Sequence, residues 1–253
     1  MQLSLMPHLC GRITSAASRK ETRRKILSTQ FAKMINEQSE FWSKIAHNYN
    51  SVVDLQIGPK TRSMVREKVA KEERLGNLAE FGCGTGFFTQ TLAENADKIV
   101  ATDLSPGMIE IAKSLVKATN VTFQLEDCQK SSLPDAAFDT AFISLVIQFT
   151  EPERTLAEMH RILKPGGKLI IANLDSLALT GLDRVRCQIR ILYRGITGYK
   201  VKPPKGFGRN VMTEKRLHDL LDRSGFRVVD SETIKDTSRS SNIPIDYIKA
   251  VKV

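Results

Sequence analysis

Asn77-Leu78-Ala79-Glu80-Phe81-Gly82-Cys83-Gly84-Thr85-Gly86 is the stretch whose reading decides the fold. Its first half is an apolar run of strand length. Its second half sets glycine at alternate positions before a helical pattern resumes at Phe87. Glycines at 82, 84 and 86 let the backbone turn tightly and come close to a ligand that any β-carbon would push away. The helix start that follows offers free amides to an anionic or polar group. Such a turn alone does not select the ligand, because more than one nucleotide-binding fold uses it.

Moving outward, Asp103 closes the next apolar run, 17 residues after Gly86. A carboxylate at the end of a second strand can cross the crevice and accept hydrogen bonds from two ribose hydroxyls. The competing role for Asp103 is to cap the following helix together with Ser105. Further along, short apolar runs alternate with helical patterns, the signature of repeated βα units and a mostly parallel sheet. Strands are expected at 77–81, 98–102, 121–125, 140–145 and 167–172, with two more at 227–230 and 247–251. Helices are expected at 37–53, 61–73, 87–95, 106–118, 152–163 and 213–224, with Gly58-Pro59 as the break between the first two. Pro106 suits a first helical turn, and Pro165-Gly166-Gly167 suits the turn from a helix into the next strand.

Three later stretches complete the pattern: Glu126-Asp127-Cys128, the run from Ser144 to Phe149, and Arg161-Ile162-Leu163-Lys164-Pro165-Gly166-Gly167. In this order and spacing the chain resembles class I S-adenosylmethionine (SAM)-dependent methyltransferases, small-molecule branch. The resemblance is strongest to the ubiquinone and menaquinone biosynthesis enzymes (methyltransferase type 11-like) and covers about residues 38–175. It implies an α/β fold with a Rossmann-like, mostly parallel sheet of seven strands, the last antiparallel. Helices would cover both faces, with a helical lid. It also implies SAM as cofactor, S-adenosylhomocysteine as product, and no metal.

The resemblance carries over residue by residue. Glu80, Phe81, Gly82, Cys83, Gly84, Thr85 and Gly86 would wrap the methionine part of SAM, with Asp103 and Leu104 at the ribose. Met108 would pack against adenine, Asp127 would bond its amino group with Cys128 beside it, and Ser144 would lie near the sulfonium. Phe41, Trp42, Ala46 and Tyr49 resemble the family's opening helix, whose aromatics close over the cofactor; ordinary packing is the alternative for these and for Met108. Where the acceptor must lose a proton, His47 and Tyr49 are the candidate catalytic groups.

Charge is unevenly distributed within a net of +10. Residues 76–179 hold 8 Lys and Arg against 13 Asp and Glu, whereas residues 180–253 hold 16 against 8. An acidic centre favours a cationic cofactor over its neutral product. In the basic insert, Arg184, Arg186 and Arg190, with Tyr193 and Tyr199, interleave with apolar residues and are the candidate substrate-side groups. This pattern suits an anionic, lipid-like or carboxylated acceptor, or peripheral contact with a membrane or other anionic surface. A lid helix whose arginines lie over the core is the competing reading.

At 41% hydrophobic and 26% charged, the chain of 253 residues has an ordinary globular composition. No apolar stretch nears the ~18 residues of a membrane-spanning helix. Four cysteines without a CxxC pair argue for reduced thiols and a cytoplasmic location. The expected organisation is a basic extension over 1–36, outside the fold, then a single domain over 37–253. That domain comprises lid helices 37–75, cofactor core 76–178, basic substrate-side insert 179–210 and sheet completion 211–253. A transit peptide, or a start at Met34, is the alternative for the extension.

The expected activity is methyl transfer from SAM to an O, N, C or S atom of a small, amphipathic or anionic molecule. The alternatives are an RNA or protein methyltransferase, and a SAM-binding regulator or assembly factor without catalysis. Aromatics at 6% and the absence of an Asn/Asp-Pro-Pro-Tyr run after the fourth strand argue against nucleic acid. The oligomeric state is left open.

Overall fold

The computed structural model describes residues 32–197, 203–204, 208–238 and 242–253, with side chains undescribed over 190–197. The chain divides into two compact units, Met1–Glu37 and Gln38–Val253. In the first, residues 32–37 are helical, with a Lys33–Glu37 pair on their surface.

The second unit is built on a seven-stranded sheet: β1 (Gly76–Phe81), β2 (Ala96–Asp103), β3 (Val121–Leu125), β4 (Phe138–Ser144), β5 (Leu163–Leu174), β6 (Phe226–Ile234) and β7 (Ile245–Lys252). Their spatial order is β3-β2-β1-β4-β5-β7-β6. β1 to β5 are mutually parallel, while β7 runs antiparallel to both β5 and β6. This is the Rossmann-like arrangement expected, with the last strand reversed. The chain steps outward from β1 to β3, then returns to the other side of β1 as β4. The carboxyl ends of β1 and β4 therefore border the crevice where open α/β sheets take their ligands.

Side chains alternate along each strand and feed two cores. Leu78, Ile99, Phe142 and Ile170 pack on one face with Val53, Ile57, Val65 and Val69. Ala79, Phe81, Ile143 and Ile171 pack on the other with Leu156, Met159, Leu217 and Leu221. The helices carrying these residues are α2 (Tyr49–Ile57) and α3 (Pro59–Ala70) on the first face, and α6 (Pro152–Ile162) and α8 (Glu214–Arg223) on the second. Burial on both faces makes the central strands read as unbroken apolar runs. Truncating a side chain such as Leu156, which has no exposed surface, is expected to cost about 2–5 kcal/mol.

Several local expectations are corrected. The helix expected at 37–53 is interrupted: residues 38–45 form α1, Ala46–Asn48 tighten into a 3-10 turn, and α2 follows. The helix expected at 87–95 shrinks to α4 (Thr89–Leu92), because the glycine turn holds the residues before it and Glu94 and Asn95 close a turn. Pro165-Gly166-Gly167 does not precede β5 but lies inside it, where the pairing with β4 shifts register between Phe138 and Thr140. α5 (Pro106–Leu115) starts where expected, with Ser105 capping Met108 N–H at 3.1 Å. α7 (Gly181–Thr197) lies in the basic insert. Among the described residues no helix is long and apolar enough to cross a membrane.

Candidate functional site

β1 delivers Glu80 and Phe81 to the crevice, and the glycine turn follows. Phe81 points into the second core, so only its backbone faces the turn. Gly82, Gly84 and Gly86 all have left-handed φ, at 67°, 55° and 81°. A β-carbon at Gly82 would lie 2.2 Å from Val146 Cγ2, so here glycine permits β1 and the turn after β4 to meet. At Gly84 a β-carbon would stand 3.1 Å from the Tyr49 ring, so the middle of the turn lies against that ring.

The end of β2 holds this turn in place. Asp103, 9% exposed, accepts Gly84 N–H through Oδ2 and Ser105 N–H through Oδ1, both at 2.9 Å. Asp103 thus braces both the turn and Ser105, the residue that caps α5. Glu80 is buried, and its Oε2 accepts the Thr89 hydroxyl at 2.6 Å. Burial pushes Glu80 up to about 7, with Asp103 adding to the rise, and pushes Asp103 itself up to about 6. Two buried carboxyls beside one turn form a site whose charge a cationic ligand would relieve. Cys83 is buried too, and desolvation raises its thiol well above the ordinary range.

The outer end of the crevice is formed by the segment after β3. Asp127 is half-buried and accepts Gln129 N–H at 2.9 Å; Cys128 beside it is half-buried. Glu126 N–H donates to Asp103 O, which joins this segment to the end of β2. Ser144 ends β4, and its hydroxyl is buried without a partner among the described residues. The next residue, Leu145, has a φ of 57°. A non-glycine residue held there stores about 1–3 kcal/mol of strain, of the kind that collects at ligand-binding sites.

Helix α1 lies across this edge. Ser39 Oγ donates to Leu104 O at 2.9 Å, Ser43 Oγ meets Ser105 Oγ at 2.8 Å, and Gln38 Nε2 donates to Phe149 O at 3.1 Å. Gly107 permits the approach, since a β-carbon there would be 3.0 Å from Ser43 Cα. The Trp42 ring packs edge-on against Phe41, Tyr49 and Phe149. Met108 is buried with Phe41, Ile45 and Ala46, so its side chain serves the seam between α1 and α5.

The structure therefore brings Tyr49, Glu80 to Gly86, Asp103, Leu104 and Ser144 to one edge, with Asp127 and Cys128 at its outer end. It does not bring His47, which lies exposed on the 3-10 turn. Arg184 and Arg186 are exposed on α7 beside Leu182, Val185 and Ile189, while Cys187 anchors that helix in the first core. The side chains of Arg190 and Tyr193, and Tyr199 as a whole, lie outside the described residues. Among the described residues no group of three His, Cys, Asp or Glu could hold a metal ion.

Two residues at this edge escaped the sequence reading. Arg62 on α3 is 5% exposed; it donates to Asn50 Oδ1 at 2.6 Å and Asp54 Oδ1 at 3.2 Å, and stacks 3.6 Å over Phe87. Asn50 Oδ1 also accepts the Thr85 hydroxyl at 3.0 Å, so a buried cation ties α2 and α3 to the glycine turn. In sequence Arg62 is one more basic residue on a basic helix. Gln148 is the second; an isolated glutamine in an apolar run carries no pattern of its own.

The strand order, the turn at the switch point and the acidic residues at the ends of β1 and β2 define a class I methyltransferase-type fold. Residues 79–171 match the family described as "Methyltransferase domain". The chain is 31% identical over 153 residues to a malonyl-[acyl-carrier protein] O-methyltransferase of Serratia marcescens, covering 58% of this chain and 57% of the relative. It is 31% identical over 141 residues to a demethylmenaquinone methyltransferase of Symbiobacterium thermophilum, covering 52% and 56%. The chain thus spans little more than half the length of these relatives. Among solved structures, a SAM-dependent methyltransferase from Aquifex aeolicus superimposes with a TM-score of 0.54 at 22% identity, covering 74% of this chain and 89% of that one.

Proposed function

We propose that the chain transfers the methyl group of SAM to a nucleophilic atom of a small, amphipathic or anionic molecule. The observation that carries this reading is the pair of buried carboxyls, Glu80 and Asp103, flanking a glycine turn at the switch point of a methyltransferase-type sheet. The residues fit the cofactor. A β-carbon at Gly84 would meet the Tyr49 ring, the carboxyls favour a positive charge, and Ser144 offers an unspent hydroxyl.

In this reading Glu80 to Gly86 hold the methionine part and Asp103 and Leu104 the ribose. Asp127 and Cys128 meet the adenine, with Met108 supporting that end, and Ser144 stands near the sulfonium. SAM supplies a methyl group already activated on a positively charged sulfur, open to in-line displacement. The protein's work is then alignment and exclusion of water. Tyr49 and Trp42 close the site, and Tyr49, set against the turn, is the residue placed to handle a proton. Arg184 and Arg186, on a helix that also exposes Leu182, Val185 and Ile189, suit an anionic acceptor or an anionic membrane surface. A cytoplasmic location accords with the free thiols of Cys83 and Cys128.

The test is transfer of label from methyl-tritiated SAM into a fractionated cell extract, with Asp103→Ala as control. Label in the solvent-extractable small-molecule fraction is expected. Label in the nucleic-acid or protein pellet overturns the reading. Tight SAM binding with no transfer makes the chain a SAM-binding regulator or assembly factor instead.

A further inference from the structure

Five buried side-chain polar atoms lack a hydrogen-bond partner among the described residues, and two of them lie on the single turn that leaves β4: Ser144 Oγ and Gln148 Oε1. Buried polar groups are nearly always paired, so two on one five-residue turn mark a place where something else is meant to bind. The turn is well placed for it. Val146 touches Gly82 at the mouth of the glycine turn, and Phe149 meets Trp42 of the closing helix. From the other side, Asn210 at the end of the basic insert donates its N–H to Gln148 O at 3.3 Å and its amide to Thr150 O at 2.5 Å. The turn is therefore bordered by the glycine turn, the closing helix and the end of the insert.

The orientation of the Gln148 amide is fixed by its surroundings. Its Nε2 donates to Leu145 O at 2.8 Å; turning the amide over would set two carbonyl oxygens face to face. Oε1 is thus held as an acceptor, in a residue 2% exposed, and whatever meets it must donate a proton. Leu145, whose carbonyl holds that amide, is the residue with the left-handed φ, so the unusual backbone is what aims the glutamine.

We propose that Gln148 Oε1, assisted by Ser144 Oγ, positions the methyl acceptor by accepting a hydrogen bond from its hydroxyl or amine. This rests on the methyl-transfer reading and deepens it. A neutral amide carbonyl orients an O–H or N–H without keeping its proton: the acceptor's lone pair would form the bond to the methyl carbon as the methyl–sulfur bond breaks to give S-adenosylhomocysteine, and the proton of the methylated acceptor would pass to water. The acceptor class is therefore an alcohol, phenol, un-ionised acid or amine, rather than a thiolate or carbanion, which brings no proton to donate. The ammonium of SAM carries the same donor chemistry and is the other source the test must separate.

The experiment compares wild type with Gln148→Leu, which keeps the volume, and Gln148→Asn, which keeps both the amide donor and the acceptor oxygen on a shorter arm. Each is measured for thermal midpoint, calorimetric SAM affinity, and transfer of methyl-tritiated label into the solvent-extracted small-molecule fraction. Expected is a folded Gln148→Leu with SAM affinity within about twofold of wild type, label transfer down by about tenfold or more, and a smaller loss of transfer in Gln148→Asn. A drop in SAM affinity of about tenfold with the transfer rate at saturating SAM unchanged would assign the contact to the cofactor and overturn the proposal. Unchanged transfer in Gln148→Leu overturns it as well. If wild type binds SAM but labels nothing, the methyl-transfer reading has failed, and this inference falls with it.

Discussion

Asp103 Oδ2 accepts the amide hydrogen of Gly84 at 2.9 Å, so the carboxylate that ends the second strand also fixes the middle of the glycine turn. Removing it as Asp103→Ala leaves two buried N–H groups, those of Gly84 and Ser105, without partners. The expected cost is about 1–3 kcal/mol in folding stability, with a similar loss in SAM binding. Denaturant titration and calorimetry measure the two separately. Lost stability with unchanged SAM affinity would restrict Asp103 to bracing the turn.

Glu80 and Asp103 make ligand binding sensitive to pH. Both have native pKa values raised above the ordinary carboxylate range, to about 7 and about 6, chiefly by burial. Their contribution to the stability of the free chain is therefore complete below that ordinary range. It is lost as pH rises through about 6 for Asp103 and about 7 for Glu80. A cationic ligand favours the ionised forms, so binding should release protons and tighten as pH rises from about 5.5 to 7.5. Calorimetry at about pH 6.5 in buffers of different ionisation enthalpy counts the protons. Glu80→Gln should remove most of the release.

Gly107→Ala tests the seat of the closing helix. The backbone there has no left-handed requirement, so the added methyl acts through its contact with Ser43, at 3.0 Å from Cα and 3.1 Å from the carbonyl oxygen. The helix must shift and the Ser43–Ser105 hydroxyl contact must lengthen. Faster proteolysis within residues 38–45 and weaker SAM binding are expected, at a cost of about 1–3 kcal/mol in stability. Wild-type proteolysis would show that α1 accommodates the methyl in place.

Arg184→Gln with Arg186→Gln should leave SAM affinity unchanged, since both side chains are exposed on α7. Turnover, or association with phosphatidylglycerol vesicles, should fall. If neither moves, α7 serves only as a cover over the first core.

The sheet was readable because β1, β2 and β4 are buried on both faces, which leaves short apolar runs bounded by glycine, proline and acidic residues. Edges were less readable. β6 extends from Phe226 to Ile234, yet only 227–230 stood out, because Glu232 and Thr233 are polar and belong to the strand through their pairing with β7. β5 reaches Leu174 for the same reason, its end paired with Ile245. At the site, Glu80, Gly84 and Asp103 were visible because glycine spacing and strand-end acids leave a local trace. Arg62 and Gln148 leave none: one is distinguished by burial against Phe87, the other by an amide locked to Leu145, and both facts exist only after folding. His47 shows the converse. Its place on the expected opening helix made it a candidate, but it stands exposed on the tight turn at Ala46–Asn48.

The serine contacts of α1 bear on timing rather than affinity. Ser39 and Ser43 fasten the helix through hydroxyls, which exchange a protein partner for water at little net cost. Trp42, by contrast, must leave Tyr49 and Phe149 together. The latch is thus cheap to undo at each point yet has to be undone all at once. On the proposed function, release of a spent cofactor would require α1 to lift, and the frequency of that lifting would cap the number of cycles per second, however fast the bond-making step becomes.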